Sequence, residues 1–265
     1  MWRGLKAGLY EPLVYMRRRR AALVASLGWP LLYLAFLFIG VYFSGRSQAY
    51  AATLGVNPAA LIRFLPAAGF LTIAAGGIVD GMMMAVQGLR WNGVLPYFLA
   101  TPGAVLRLLT GYTIGSTMVT LSFTSLPFIA ISVALAGLPG LLVILVVLGL
   151  TILAAVALIG LAALAAALTL LSNRERLPMI WMLPFLILVS AIFYPVTLLP
   201  PFLRLVSYAI PLYHVSHALR EIASFLDAKK LLAVVGVLFG LGGGYASLYL
   251  PAAIAAREAR RRSLD

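Results

Sequence analysis

The chain has 265 residues, of which 63% are hydrophobic and only 10% charged, with a mean hydropathy of +1.04. Soluble domains carry about 25% charged residues, so this composition excludes a water-covered globular enzyme and leaves no length for a soluble catalytic domain. There is no cysteine, which rules out disulfides, thiolate metal sites and cysteine nucleophiles. The net charge of +13 reads as Lys and Arg gathered against anionic lipid headgroups, with no nucleic-acid partner implied.

The apolar segments are long and continuous, not short and alternating, so the expected fold is an all-α polytopic membrane protein and not a β-barrel. Residues 1–265 form one transmembrane domain in this reading. Residues 1–16 repeat Trp2, Leu5, Leu9 and Leu13 at helical spacing with Arg3, Lys6 and Glu11 elsewhere, the pattern of an amphipathic helix lying in the membrane interface. Four arginines at 17–20 follow. The first span is expected over 21–43. It is longer than the roughly 7–15 residues of a signal-peptide core, so it reads as a retained helix, kinked at Pro30. Residues 44–58 form a polar loop. The second span covers 61–86, with Gly76, Gly77 and Gly81 and the carboxylate Asp80.

Residues 87–102, QGLRWNGVLPYFLATP, are too polar and too broken by Asn92-Gly93 and Pro96 to cross a bilayer. They are too aromatic for a plain solvated loop. A short amphipathic surface helix built to meet a partner is expected here. The third span, 105–135, carries Thr113, Thr117, Thr120 and Thr124 on one helical face. A tight turn at 137–140, a fourth span over 141–171 and a short charged loop at 172–177 precede the fifth span, 178–196. Residues 195–225 are apolar but broken by Pro195, Pro200, Pro201 and Pro211, which predicts re-entrant or interfacial helices. The sixth span covers 231–254, and a basic tail follows.

Six spans place both termini on one side. That side holds 14 of the 20 Lys and Arg residues, so the termini and the 87–102 segment are expected in the cytoplasm of a cell-membrane protein and the 195–225 region outside. The two halves show no inverted repeat.

Each polar feature has two readings. Asp80 is the one acid inside an expected span, which makes it a functional candidate; the structural alternative is an ion pair with Arg90 or a neighbouring helix. The threonine face either lines a polar route or bonds i−4 carbonyls and holds helices together. Gly236, Gly240 and Gly244 make a GxxxGxxxG run that lets another helix approach closely. His214, His217 and Glu221 fall at i, i+3 and i+7, yet lack the further ligand and second shell of a metal site, so no metal is expected. No phosphate loop of Walker type, no HExxH and no GxSxG is present. The chain is therefore expected to carry no catalytic residue and no cofactor of its own.

Two segments resemble a known family. Residues 90–102, RWNGVLPYFLATP, are similar to the cytoplasmic segment of type-2 ABC transporter permeases, where a charged residue and Gly precede an aromatic-Leu-small-Thr-Pro ending. Residues 193–221, FYPVTLLPPFLRLVSYAIPLYHVSHALRE, are similar to that family's external segment. The resemblance runs over nearly the whole chain. It implies a permease subunit of an exporter of lipid, glycolipid, drug or polysaccharide, working as a dimer of permeases with two ATPase subunits that bind the ATP and Mg. It also makes residues 87–102 a coupling helix, with Arg90, Trp91, Leu95, Tyr97, Leu99 and Thr101 meeting the ATPase. The leading Glu frequent in the family is absent; Gln87 and Arg90 stand in its place. The rival readings are an ion-coupled secondary transporter, for which only Asp80 is at hand, and a lipid-modifying membrane enzyme.

Overall fold

The computed structural model describes residues 2–18, 20–75, 77–95, 99, 105–171, 177–224 and 227–262. Helix makes up about 90% of the chain, and no strand occurs among the described residues. The helices are α1 Trp2–Arg18, α2 Arg20–Phe38, α3 Ser47–Leu54, α4 Leu61–Ala75, α5 Gly77–Trp91, α6 Val105–Ala157, α7 Ile159–Leu171, α8 Leu177–Val189, α9 Pro201–Ala209, α10 Pro211–Ser224, α11 Ala228–Ala246 and α12 Tyr249–Arg262.

The buried centre is α4. Phe64, Leu65, Phe70 and Leu71 are fully enclosed by α2, α6 and α10, which pack around it. Phe70 meets Phe128 of α6 edge to face, with 5.9 Å between ring centres. A helix apolar over most of its surface, as this one is apart from Arg63, belongs inside a bundle.

Among the described residues, two helical stretches are long and apolar enough to cross a membrane: 106–157 and 229–259. The bent pair 27–43 and 47–54, with 105° between its arms, makes a third if taken as one broken span. That is fewer than the six crossings expected, and the differences have local causes. α6 has 53 residues, which as a straight rod would measure about 80 Å against a hydrocarbon core of about 30 Å. It is not straight: Gly137 stands at φ 61°, ψ −143°, a conformation open to glycine. A Cβ on Gly140 would lie 2.3 Å from the Ser132 carbonyl oxygen, so the chain doubles back where the 137–140 turn was expected. The third and fourth expected spans are thus the two arms of α6, joined at this turn. The second expected span is covered by α4 and α5, on either side of position 76, which lies outside the described residues. The fifth is represented by α8, only 13 residues long and containing Pro184.

The amphipathic α1 packs along the start of α6, and the residues it buries are Gly4 and Gly8. A Cβ on Gly4 would lie 2.3 Å from the Leu108 carbonyl oxygen, and one on Gly8 1.9 Å from that of Tyr112. Gly115 answers from α6, with its Cβ position 2.6 Å from the Leu5 carbonyl oxygen. Backbone-to-backbone contact of this kind needs small residues on both sides. It leaves Trp2, Tyr10 and Leu13 exposed, and Leu5 and Leu9 flank the contact half-buried.

The proline-broken 195–225 region folds as a 3-10 turn at Val196–Leu198, then α9 and α10. Pro201 and Pro211 are each the first residue of their helix, where a missing N–H costs nothing. Arg204 ties the turn to α9, donating from Nε to Leu199 O at 2.6 Å and from Nη2 to Thr197 O. α10 is largely buried, between α4, α6 and α11.

Candidate functional site

The segment singled out in the sequence begins as the last turns of α5. Three hydrogen bonds close that helix: Asn92 N to Gly88 O at 3.1 Å, Gly93 N to Arg90 O at 2.9 Å and Val94 N to Leu89 O at 2.9 Å. Gly93 sits at φ +66°. This is a Schellman ending, with glycine supplying the left-handed residue. It explains in physical terms why Asn92-Gly93 stops the helix and turns the chain.

Arg90 fixes the turn to a second helix. Its Nη2 donates to Thr169 O at 2.7 Å and to Leu170 O at 3.0 Å. Those carbonyls belong to the last described turn of α7. The result is a turn, residues 91–94, exposed at every position yet anchored to α5 and α7. Trp91 is 58% exposed. Behind it lies a cavity of about 560 Å³ between α1, α5 and α6, with Glu11, Asn92 and Tyr112 among its lining.

The six residues expected to meet an ATPase are therefore placed unequally. Trp91 is free to be touched. Arg90 is engaged with α7. Leu95 is half-buried and packs on the core. Leu99 is 5% exposed in the single chain. Tyr97 and Thr101 lie outside the described residues. Asn92 and Gly93, read from the sequence as a turn, and Val94 complete the exposed turn.

The threonine face meets α5. The Thr113 methyl lies 3.4 Å from a Cβ position on Gly81, and that of Thr117 lies 3.7 Å from one on Gly77. Thr117 Oγ1 donates to Gly77 O at 3.4 Å. Thr124 is buried and Thr120 exposed. Thr113 and Thr117 thus fill a helix–helix contact, with glycines on one side and methyls on the other. The side chain of Asp80 lies outside the described residues. Its position on α5 is about 15 Å along the axis from that of Arg90, ten residues on.

Gly236, Gly240 and Gly244 have nothing within 4 Å of a Cβ built on them, so their face of α11 is uncovered in this chain. The close approach lies on another face: a Cβ on Gly160 would fall 1.7 Å from the Tyr245 carbonyl oxygen. His214 Nε2 lies 2.9 Å from Tyr208 O. Among the described residues no three His, Cys, Asp or Glu side chains come together to hold a metal.

Sequence reasoning missed a second polar centre, at the far end of α8. There Ala191 has φ 48°, a costly value for a residue with a Cβ, and three side chains hold the carbonyls around it. Arg220 of α10 donates from Nη2 to Ala191 O and to Tyr194 O, the latter at 2.6 Å. Ser216 Oγ lies 2.6 Å from Ser190 O. Tyr50 of α3 donates to Phe193 O at 3.2 Å. Burial lowers the Arg220 pKa, opposed by Tyr213 and Tyr50 nearby; a guanidinium keeps its charge regardless. Burial raises the Tyr213 phenol, and Tyr208 adds to the shift. The signal in the sequence was Arg220 near the end of a largely apolar stretch.

No known protein-family model matches the chain, and no curated protein matches it.

Proposed function

We propose that this chain is the membrane-spanning permease subunit of an ATP-driven exporter of the type-2 ABC kind. In this reading it crosses the membrane six times, with the α6 hairpin supplying two crossings and the α4–α5 pair one. Both termini and the 91–94 turn lie in the cytoplasm of a cell membrane. The permease pairs with a second permease, and two ATPase subunits bind the ATP and Mg. The cargo class is lipid, glycolipid, amphipathic drug or polysaccharide.

The observation that carries the reading is the anchored turn. A coupling element must be exposed to be gripped and rigid enough to pass a push onward. Residues 91–94 are exposed, and the Schellman ending together with the Arg90 bonds ties them to α5 and α7 at once. A push on Trp91 therefore moves two helices and not a loop. ATP binding shifts the equilibrium between arrangements because it favours the one in which the ATPases close.

The test is purification from native membranes followed by assay of the complex. An ATP-hydrolysing subunit that co-purifies, and transport that stops when ATP is withheld, support the exporter. Transport driven by a proton gradient without ATP supports the secondary-transporter rival instead.

A further inference from the structure

A cavity of about 380 Å³ opens where α10 ends and α11 begins, roofed by Gly55 at the end of α3. Its charged lining comes from His217, Arg220, Glu221, Asp227 and Lys230. The cavity stands at the end of the apolar stretch 229–259, one of the two long enough to cross a membrane. A pocket at the end of a crossing helix lies at the depth of the lipid headgroups. α11 is also the barest of the helices. Only 6% of the apolar window in that stretch is buried, and Leu232 and Phe239 are 71% and 68% exposed. Acyl chains can lie along that flank directly beneath the cavity.

The charges define what fits. Arg220 is half-buried, and among the described residues no carboxylate pairs with it; the ion pair present is Lys230 Nζ to Glu221 Oε1, at 3.1 Å. Arg220's Nη2 is spent on two carbonyls, while its Nε is buried without a partner. A cation set in a low-dielectric place without a counter-ion favours an anion at its side. His217 and Lys230 line the same space and can add donors. Glu221, which Lys230 already pairs, and Asp227 offer carboxylates in the same lining. Asp227 Oδ1 already accepts from Lys229 N at 2.9 Å, but a carboxylate has about four acceptor positions. Two formal positive and two formal negative charges leave the lining neutral, which suits a zwitterion better than a net anion. The volume is at the small end for a ligand pocket, where about 300–1,000 Å³ is usual. It holds a headgroup and not a whole lipid.

We propose that this cavity binds the phosphoethanolamine headgroup of a membrane phospholipid. The phosphate sits at Arg220, His217 and Lys230, the primary ammonium at Glu221 and Asp227, with the Lys230 ammonium bridging the phosphate and Glu221, and the acyl chains lie along α11. A primary ammonium is required because it has three N–H donors to give those carboxylates, whereas a trimethylated one has none. The site stands on the geometry of α10 and α11 and not on the exporter reading.

The experiment is native mass spectrometry of the full chain in detergent, titrated with phosphatidylethanolamine, phosphatidylcholine and phosphatidylglycerol of identical acyl chains. Phosphatidylethanolamine is expected to be retained about tenfold better than either of the others, the worth of one charge-assisted hydrogen-bonded contact. Glu221→Gln with Asp227→Asn is expected to abolish that preference; asparagine still caps α11, and an unchanged melting temperature checks the fold. Equal retention of all three lipids, a preference for phosphatidylglycerol, or a preference that survives the double variant overturns the proposal. Soluble glycerophosphoethanolamine, added at the lipid's concentration, is expected to leave the lipid bound. If it displaces the lipid, the ligand is a water-soluble phosphoethanolamine ester and the membrane source is wrong.

Discussion

Replacing Arg90 with Met keeps the length and apolar stem of the side chain and deletes the two bonds to Thr169 O and Leu170 O, at 2.7 and 3.0 Å. A hydrogen bond from a charged group is worth about 1.5–3 kcal/mol. One nitrogen serves both carbonyls, so the bonds do not count twice. Arg90 is also only half-buried, so water replaces part of the loss. About 1–2 kcal/mol remains, which corresponds to a fall of about 3–6 °C in melting temperature for a chain of this size. Lysine keeps the charge but presents a point donor in place of a planar fork, so Arg90→Lys should lose about half as much. Thermal unfolding of purified wild type, Arg90→Lys and Arg90→Met in one detergent reads this series directly. An Arg90→Met protein that melts with wild type would show that Arg90 does not hold α7, and the rigidity argued for the 91–94 turn would fall with it.

Four further outcomes follow from the packing. Gly160→Val, with its Cβ position 1.7 Å from the Tyr245 carbonyl oxygen, should destabilise by about 1–3 kcal/mol or more, whereas Gly240→Val, with nothing within 4 Å, should leave the melting of the single chain unchanged. Gly8→Leu should prise α1 from α6, raising protease cleavage within Trp2–Arg18 while the remainder of the chain stays resistant. Leu99→Glu should lower expression and stability, because Leu99 is buried; Val94→Glu, at an exposed position, should melt normally and uncouple ATP hydrolysis from transport. Arg220→Gln should loosen the turn at Ala191 and accelerate backbone hydrogen exchange across 190–194, which a wild-type exchange rate there would refute.

Several features were legible because their causes are local. Asn92-Gly93 demands a left-handed residue and delivers a helix ending, and Gly137 with Gly140 announces a reversal. The prolines at 195, 200, 201 and 211 forbid a crossing and mark helix starts. What could not be read depends on contacts between distant segments. Gly4 and Gly8 look like incidental glycines in an amphipathic stretch until Gly115 is placed opposite them. The GxxxGxxxG run at 236–244 satisfies the local rule for close packing, yet the helix it belongs to is crossed through another face, by Gly160. Arg90 looks like a surface charge free for a partner, and only the position of α7 shows where its guanidinium goes. The same holds for Leu99, whose apolar character suits a docking face and a core equally. Two helical stretches among the described residues are long and apolar enough to cross by themselves, fewer than the six expected, because apolar length in the sequence does not register an interruption such as Pro184 in α8.

The central claim is that residues 91–94 are gripped by an ATP-binding subunit. A photoreactive amino acid placed at Trp91 in the full chain, irradiated in native membranes, tests it most directly. The account expects a cross-linked product of permease plus one further protein, which a photoreactive ATP analogue labels, and a matched substitution at the buried Leu99 that gives no such product. Cross-links from position 91 to lipid alone, or to a protein that binds no nucleotide, would contradict it.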